Sequence, residues 1–318
     1  MISTKPIPQE NMILFDWVTF TSKCDSPESI KELLGLSEIT WQVMEKGRNG
    51  YRQRWMFENI SILFDGAEGM GVCVDMTGTG CRAFETYSTT SWEDLFHTIY
   101  FYPEDYNITR LDMAFDDHTG ILDIEQLQDD TDDHNYVSKS KKWLVQYGSD
   151  GTTIYHGSPK SNMYIRIYDK AAEQDLEDVH WIRVEMQMRD EIASGFVDGL
   201  MIHPVGDQFR GVLHNYLRYV VPQNDTNMSR WPMTAYWAEL REGVQRIRCW
   251  SCPGVDYDEF RLSNYIINQA GNALDCYLYI YGQEDLIEQL GKRSIRKSPK
   301  YERLKQKYDN LKRGRSDA

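Results

Sequence analysis

The sequence predicts an α+β protein, with an antiparallel sheet that carries one charged face and helices mainly in the C-terminal third. Three observations support this class. Several segments before residue 190 alternate apolar and polar residues with the period of two expected of half-buried strands. Beyond residue 189 the apolar residues recur at helical spacing instead. Strands that come first and helices that follow point to segregated rather than alternating elements.

Taken in order, residues 15–22 alternate and read as a strand. Residues 26–36 read as a short helix, with Ser26 placed to cap it ahead of Pro27. Two further strands, 60–65 and 71–75, are joined by the Gly-rich turn 66–69. A second helix spans 90–101, with Ser91 near its start. The acidic stretch 128–134 reads as a surface loop with solvated carboxylates. Residues 152–156 and 162–170 flank Gly-Ser-Pro-Lys-Ser at 157–161, a hairpin loop. Helical spacing returns at 189–200, 209–221, 232–246 and 259–272, and 301–312 reads as a basic amphipathic helix. No internal repeat is evident.

The chain has 318 residues, enough for one large domain or two ordinary ones, and 41% hydrophobic residues support a core. No stretch approaches the roughly 18 apolar residues of a membrane span. The apolar run 12–20 is broken by Asp16, and no small-residue cleavage site follows, so a cytoplasmic protein with no membrane partner is expected. Six scattered cysteines fit a reducing compartment. Cys249-Trp-Ser-Cys252 lacks the second pair of ligands that a zinc site wants, and reads as two ordinary thiols. The net charge of −14 argues against a polyanionic partner until its distribution is considered. Residues 292–318 hold 11 Lys and Arg against 3 Asp and Glu, while the remainder carries −22. A basic tail on an acidic body suits contact with polyanion, although charge alone fits a solvated end equally well.

Three segments between 109 and 189 carry the chemistry. In the first, Arg110, Asp112 and Asp116 share one face, with Leu111, Met113 and Phe115 behind. In the second, Tyr164, Arg166, Tyr168 and Lys170 align in front of Met163, Ile165 and Ile167. In the third, Arg183, Glu185 and Gln187 oppose Ile182, Val184, Met186 and Met188. A solvated sheet face needs only Lys, Thr and Ser. This face offers carboxylates that suit Mg²⁺ or Mn²⁺, cations that neutralise phosphate, and tyrosines able to act as nucleophiles. Those are the parts of phosphoryl transfer.

The blocks RLDMAFDD (110–117), TIYHGSPKSNMYIRIYDK (153–170) and IRVEMQMRD (182–190) resemble the trans-acting replication initiators of small rolling-circle plasmids. Nicking relaxases of integrative elements and phage replication initiators belong to the same superfamily, and VDMTGTGCR (74–82) is similar to a glycine-containing strand segment of those branches. The resemblance covers roughly residues 10–220. It implies a nicking domain over 1–225 with its catalytic core at about 105–225, a helical DNA-recognition region over 226–290 and the basic tail 291–318. It further implies that Tyr168 attacks the scissile phosphate and that Asp112 and Glu185 hold Mg²⁺ or Mn²⁺. Asp116 stands where a further acid is common. Gln187 stands where the family often has another acid, which leaves a fourth ligand open. Arg166 and Lys170 flank Tyr168 and are expected to add positive potential in catalysis. Arg110, Arg183, Lys160, Lys292, Arg293, Arg296 and Lys297 are expected on DNA phosphates.

The resemblance implies nicking and rejoining of one strand at a double-strand origin through a 5′-phosphotyrosine. Origin DNA is then the partner, a host replicative helicase follows by family resemblance, and a homodimer is left open. Tyr164 is the rival nucleophile, and Tyr155 reads as structural. Some of the 20 tyrosines and 9 tryptophans could stack bases of melted DNA, though most aromatics serve cores. Three alternatives stay open: an integrative-element relaxase, a metal-dependent nuclease that uses water, and a non-catalytic origin-binding protein.

Overall fold

The computed structural model describes residues 10–148, 151–242 and 271–292, together with Lys305. The chain divides into two compact units, 1–251 and 252–318. The first is built on a ten-stranded, wholly antiparallel sheet. At its centre β1 (Met12–Ser22) pairs with β6 (Tyr106–Asp117). Outward from β1 come β5 (Val72–Met76), β4 (Ile60–Phe64), β3 (Gln53–Phe57) and β2 (Gln42–Met44). Outward from β6 come β11 (Ile182–Arg189), β10 (Met163–Asp169), β9 (Gly151–Gly157) and β8 (Trp143–Gly148).

The two halves share one plan. β1 is followed by α1 (Pro27–Leu33), then four strands, then α2 (Gly78–Tyr87) and α3 (Trp92–Phe101). β6 is followed by α4 (Ile124–Asp132), four sheet strands, then α6 (Asp190–Leu200) and α7 (Val205–Tyr216). The second half adds β7 (Tyr136–Ser138), paired with β12 (Leu217–Tyr219), and the single turn α5 (Lys170–Glu173). α8 (Ala235–Arg241) completes this unit; its Trp237 is buried against Tyr219. The unit therefore runs past residue 225 and includes α8. In the second unit α9 (Gly271–Lys292) is kinked at Gly282, whose φ is 82°.

One face of the sheet is apolar. Leu111, Met113, Val184, Met186, Ile165 and Ile167 are all buried there in the main core, which includes Phe196 of α6 and Phe209 of α7. The N-caps follow the sequence signals: Ser26 accepts from the Ser29 amide and Ser91 from the Asp94 amide.

Three local expectations are corrected. Residues 128–134 are mostly helical, because Asp123 caps α4 and Leu127 and Thr131 turn inward. Asp130 is buried as well, accepting from Gln126, Asn135 and Tyr236. The segment 74–82 leaves the strand at Met76 and starts α2. A Cβ on Gly80 would lie 2.3 Å from the Asn59 carbonyl oxygen, so glycine lets this helix approach the β3–β4 turn. The helix expected over 209–221 stops at Tyr216 and becomes β12. Among the described helices, α1 to α7 begin before Leu217, and α8 and α9 follow it. Cys249, Cys252, most of 259–272, and 301–312 apart from Lys305 lie outside the described residues.

Candidate active site

The opposite face of the sheet gathers the charged residues. Three cross-strand rows define it. Gly157, Tyr164, Gln187 and Asp112 form the first, which continues to Trp17 on β1. Tyr155, Arg166, Glu185 and Ala114 form the second, flanked by Leu144 on β8. Thr153, Tyr168, Arg183 and Asp116 form the third, flanked by Gln146. Side chains at facing positions of neighbouring strands lie on the same side of a sheet. The alternation at 110–116, 164–168 and 183–187 therefore converges on one surface.

That surface is not a solvated one. Asp112 and Glu185 are each 1% exposed, Asp116 3%, Gln187 6% and Arg183 7%. Buried charges require partners, and each has them. Arg110 grips Asp112 with Nε at 2.9 Å and Nη2 at 2.5 Å, while its guanidinium carbon sits 3.9 Å from the centre of the Trp17 ring. Arg166 ion-pairs with Glu185. Arg183 holds both oxygens of Asp116, at 2.6 and 2.7 Å, and reaches Asp16 at 3.3 Å.

Tyr168 sits amid these pairs. Its hydroxyl donates to Glu185 Oε2 at 3.4 Å, and the Lys170 ammonium lies 5.6 Å from its ring centre. Burial, and then the negative charge of Glu185, push the phenol well above its ordinary range; Arg183 and Arg166 pull the other way. Burial raises Asp112 to about 6, opposed by its bond to Arg110. For Arg166 burial favours the neutral form, but Glu185 outweighs it and the group stays charged. A cleft of about 490 Å³ opens over Asp112, Glu185, Arg166, Tyr168 and Lys170.

Several expected residues have other surroundings. Asp116 does not line this cleft, and both its oxygens are engaged by Arg183. Arg183, expected on DNA, is held inside that pair. Arg110 does line the cleft, tied to Asp112. Lys160 is exposed in the β9–β10 turn. Lys170 begins α5 and pairs with Glu173. Lys292 is exposed at the end of α9 and pairs with Glu288, while Arg293, Arg296 and Lys297 lie outside the described residues. Sequence reasoning did not select Asp16 or Trp17. The signal was present, since Asp16 is the charge that interrupts the apolar run of β1.

No group of three or more His, Cys, Asp or Glu side chains able to hold a metal occurs among the described residues. Asp112 and Glu185 still offer two hard oxygen donors at one cleft. Mg²⁺ is commonly held by one or two carboxylates with phosphate and water completing its shell, and this donor set fits that mode.

Fold and cleft together define an α+β protein whose antiparallel sheet carries a charged, tyrosine-containing cleft on one face. The chain belongs to the replication initiation factor family, whose pattern matches residues 106–290. Residues 12–113 match the rolling-circle replication initiation protein N-terminal domain. A protein of Bacillus subtilis (strain 168) named as a candidate DNA relaxase, NicK, is 25% identical over 310 residues, covering 91% of this chain and 84% of that protein. A replication initiation protein of Staphylococcus aureus is 34% identical over 106 residues, covering 30% of this chain and 31% of that protein. Among solved structures, the rolling-circle replication initiator protein of Geobacillus stearothermophilus superposes with a TM-score of 0.67 at 30% identity. That match covers 76% of this chain and all of the other. No described helix is long and apolar enough to cross a membrane.

Proposed function

We infer that this chain nicks and rejoins one DNA strand at a replication origin through a covalent bond to Tyr168. One observation carries the reading: a half-buried tyrosine whose hydroxyl faces a carboxylate at a cleft that also holds Arg166 and Lys170. In this reaction the Tyr168 Oη–phosphorus bond forms and the bond from phosphorus to O3′ breaks. The products are a 5′-phosphotyrosyl strand and a free 3′-OH. The phenolic proton leaves Tyr168, with Glu185 Oε2 its acceptor within reach, and the departing O3′ gains a proton, so the balance closes. Because the phosphodiester energy stays in the new link, attack by the 3′-OH reverses the step without ATP.

Arg166 and Lys170 favour the charge that builds on phosphate oxygens, and Arg183 favours charge on Tyr168 itself. Asp112 and Glu185 are the residues that would hold Mg²⁺ or Mn²⁺, which when bound supplies Lewis-acid stabilisation of the phosphate. Asp116 acts at one remove, by fixing Arg183. Tyr164 suits the nucleophile's role less well: it is 8% exposed and lies against Tyr155 rather than lining the cleft. Extension from the new 3′-OH needs the duplex opened ahead of it, the task of a replicative helicase. Tyr168→Phe should bind origin DNA as the parent does but form neither nick nor adduct. Mass spectrometry that maps the adduct to Tyr164 would overturn the assignment.

A further inference from the structure

Tyr155 lies one strand further out than the reacting tyrosine. On β9 it is paired with Arg166, so Tyr168 is its diagonal neighbour, roughly 7–8 Å away. Tyr155 lines the cleft, whereas Tyr164 does not. The two rings are stacked with centroids 5.7 Å apart and an interplanar angle of 5°. Tyr164 is buried, so Tyr155 has a packed ring behind it and an open cleft beside it. Across the strand on β8, the facing residue is Leu144, an apolar side chain 56% exposed on an edge strand. Gln146 receives the Tyr155 hydroxyl at 3.4 Å, which steadies the ring's outer end.

A core tyrosine would not line a polar cleft, and a hydrogen-bonding tyrosine would not need a parallel ring as backing. A flat ring with fixed orientation next to a phosphate site is a surface for an unpaired base. Every base has a π-face, and two χ angles leave little entropy to lose on contact. A paired base keeps its faces inside the duplex stack, so only a melted strand can use such a surface. We propose that Tyr155, backed by Tyr164 and extended by Leu144, is a stacking platform for a base flanking the scissile phosphate, and that the cleft accepts single-stranded DNA there.

This rests on the cleft being the DNA-cleaving site, but its test needs no cleavage. The probe is fluorescein-labelled dT20, compared with a 20-unit abasic deoxyribose-phosphate strand, titrated by anisotropy into the full chain carrying Tyr168→Phe. Adding Tyr155→Leu should weaken dT20 binding roughly 5- to 150-fold, the range of one aromatic–base stack, and leave abasic binding unchanged. Tyr155→Phe, which keeps the ring, should bind dT20 as tightly as the Tyr168→Phe parent. Equal affinity of Tyr155→Leu for dT20, or an equal loss on both strands, would overturn the proposal. A second measurement uses the unsubstituted chain: 5-iodouracil placed along the 20-mer should photocrosslink to the peptide containing Tyr155. Crosslinks confined to other peptides would also overturn it. An adduct mapped away from Tyr168 would remove the nucleophile assignment while leaving the contrast between dT20 and abasic strand intact.

Discussion

Burial assigns different work to carboxylates that share one face. Asp112 and Glu185 line the cleft, and each is balanced by a single arginine. Asp116 is closed off by both arms of Arg183. Removing Asp112 or Glu185 should therefore abolish cleavage with either Mg²⁺ or Mn²⁺, because each change removes a hard oxygen donor. Gel assays of Asp112→Ala and Glu185→Ala in both metals check this, and full activity of both variants would refute it. Asp116→Ala should behave differently. It leaves a buried guanidinium with only Asp16 near, so a stability loss of about 3–5 kcal/mol is expected in urea unfolding. The metal concentration giving half-maximal cleavage should stay where it is. A shift in that midpoint would return Asp116 to the metal.

The strands that carry the site were legible because each alternates two kinds of side chain that cannot exchange places, as Arg183, Glu185 and Gln187 do with Val184 and Met186. Elements whose signal lies elsewhere were not legible. In α4 the buried stripe is Leu127, Asp130 and Thr131, of which only Leu127 is apolar, so the helical period is faint. In α2 two glycines stand in the first turn, and what requires Gly80 is the Asn59 backbone, distant in sequence. The edge strand β8 has no buried residue, so it shows no alternation. One contact between elements was equally hidden. His156 on β9 is fully buried and shares a 3.1 Å hydrogen bond with the Tyr219 hydroxyl on β12, which in turn meets Thr131 at 2.7 Å. Burial pulls its imidazole down to about 3. The folded chain thus refuses a proton that the unfolded chain takes below about 6.5. Its contribution is complete above that pH and lost as pH falls toward 3, by roughly 2.7 kcal/mol at pH 4.5. Urea unfolding of His156→Asn at pH 7.0 and 4.5 should show an acid loss smaller than the parent's by about that amount. Equal losses would show that another group sets the acid limit.

At the scale of the whole molecule, the strand plan repeats where the sequence shows no repeat. The reason lies in what occupies the polar side of each half. In the first half, Leu63 and Cys73 are buried beneath Tyr51 and Met70, and Asp75 is closed by Arg48, Trp17 and Thr19. Like folds thus present unlike residues, and the cleft described above is lined mostly by the second half, with Asp16, Trp17 and Gly78 from the first. An acidic body built this way attracts DNA at local cations alone, which raises the question of where duplex affinity arises. Residues 292–318, with 11 basic against 3 acidic side chains, are the concentrated source of positive charge. Each phosphate contact releases counterions and adds about 0.9 to the slope of log affinity against log salt. Deleting 292–318 should weaken duplex binding and flatten that slope, because the remaining chain carries −22. The same deletion should spare cleavage of a single-stranded oligonucleotide at high concentration, since the cleft residues all precede it. Filter binding from 50 to 200 mM salt supplies the first measurement and an oligonucleotide cleavage assay the second. A slope that does not change on deletion would assign the tail to solvent and require the duplex contacts to lie within residues 1–291.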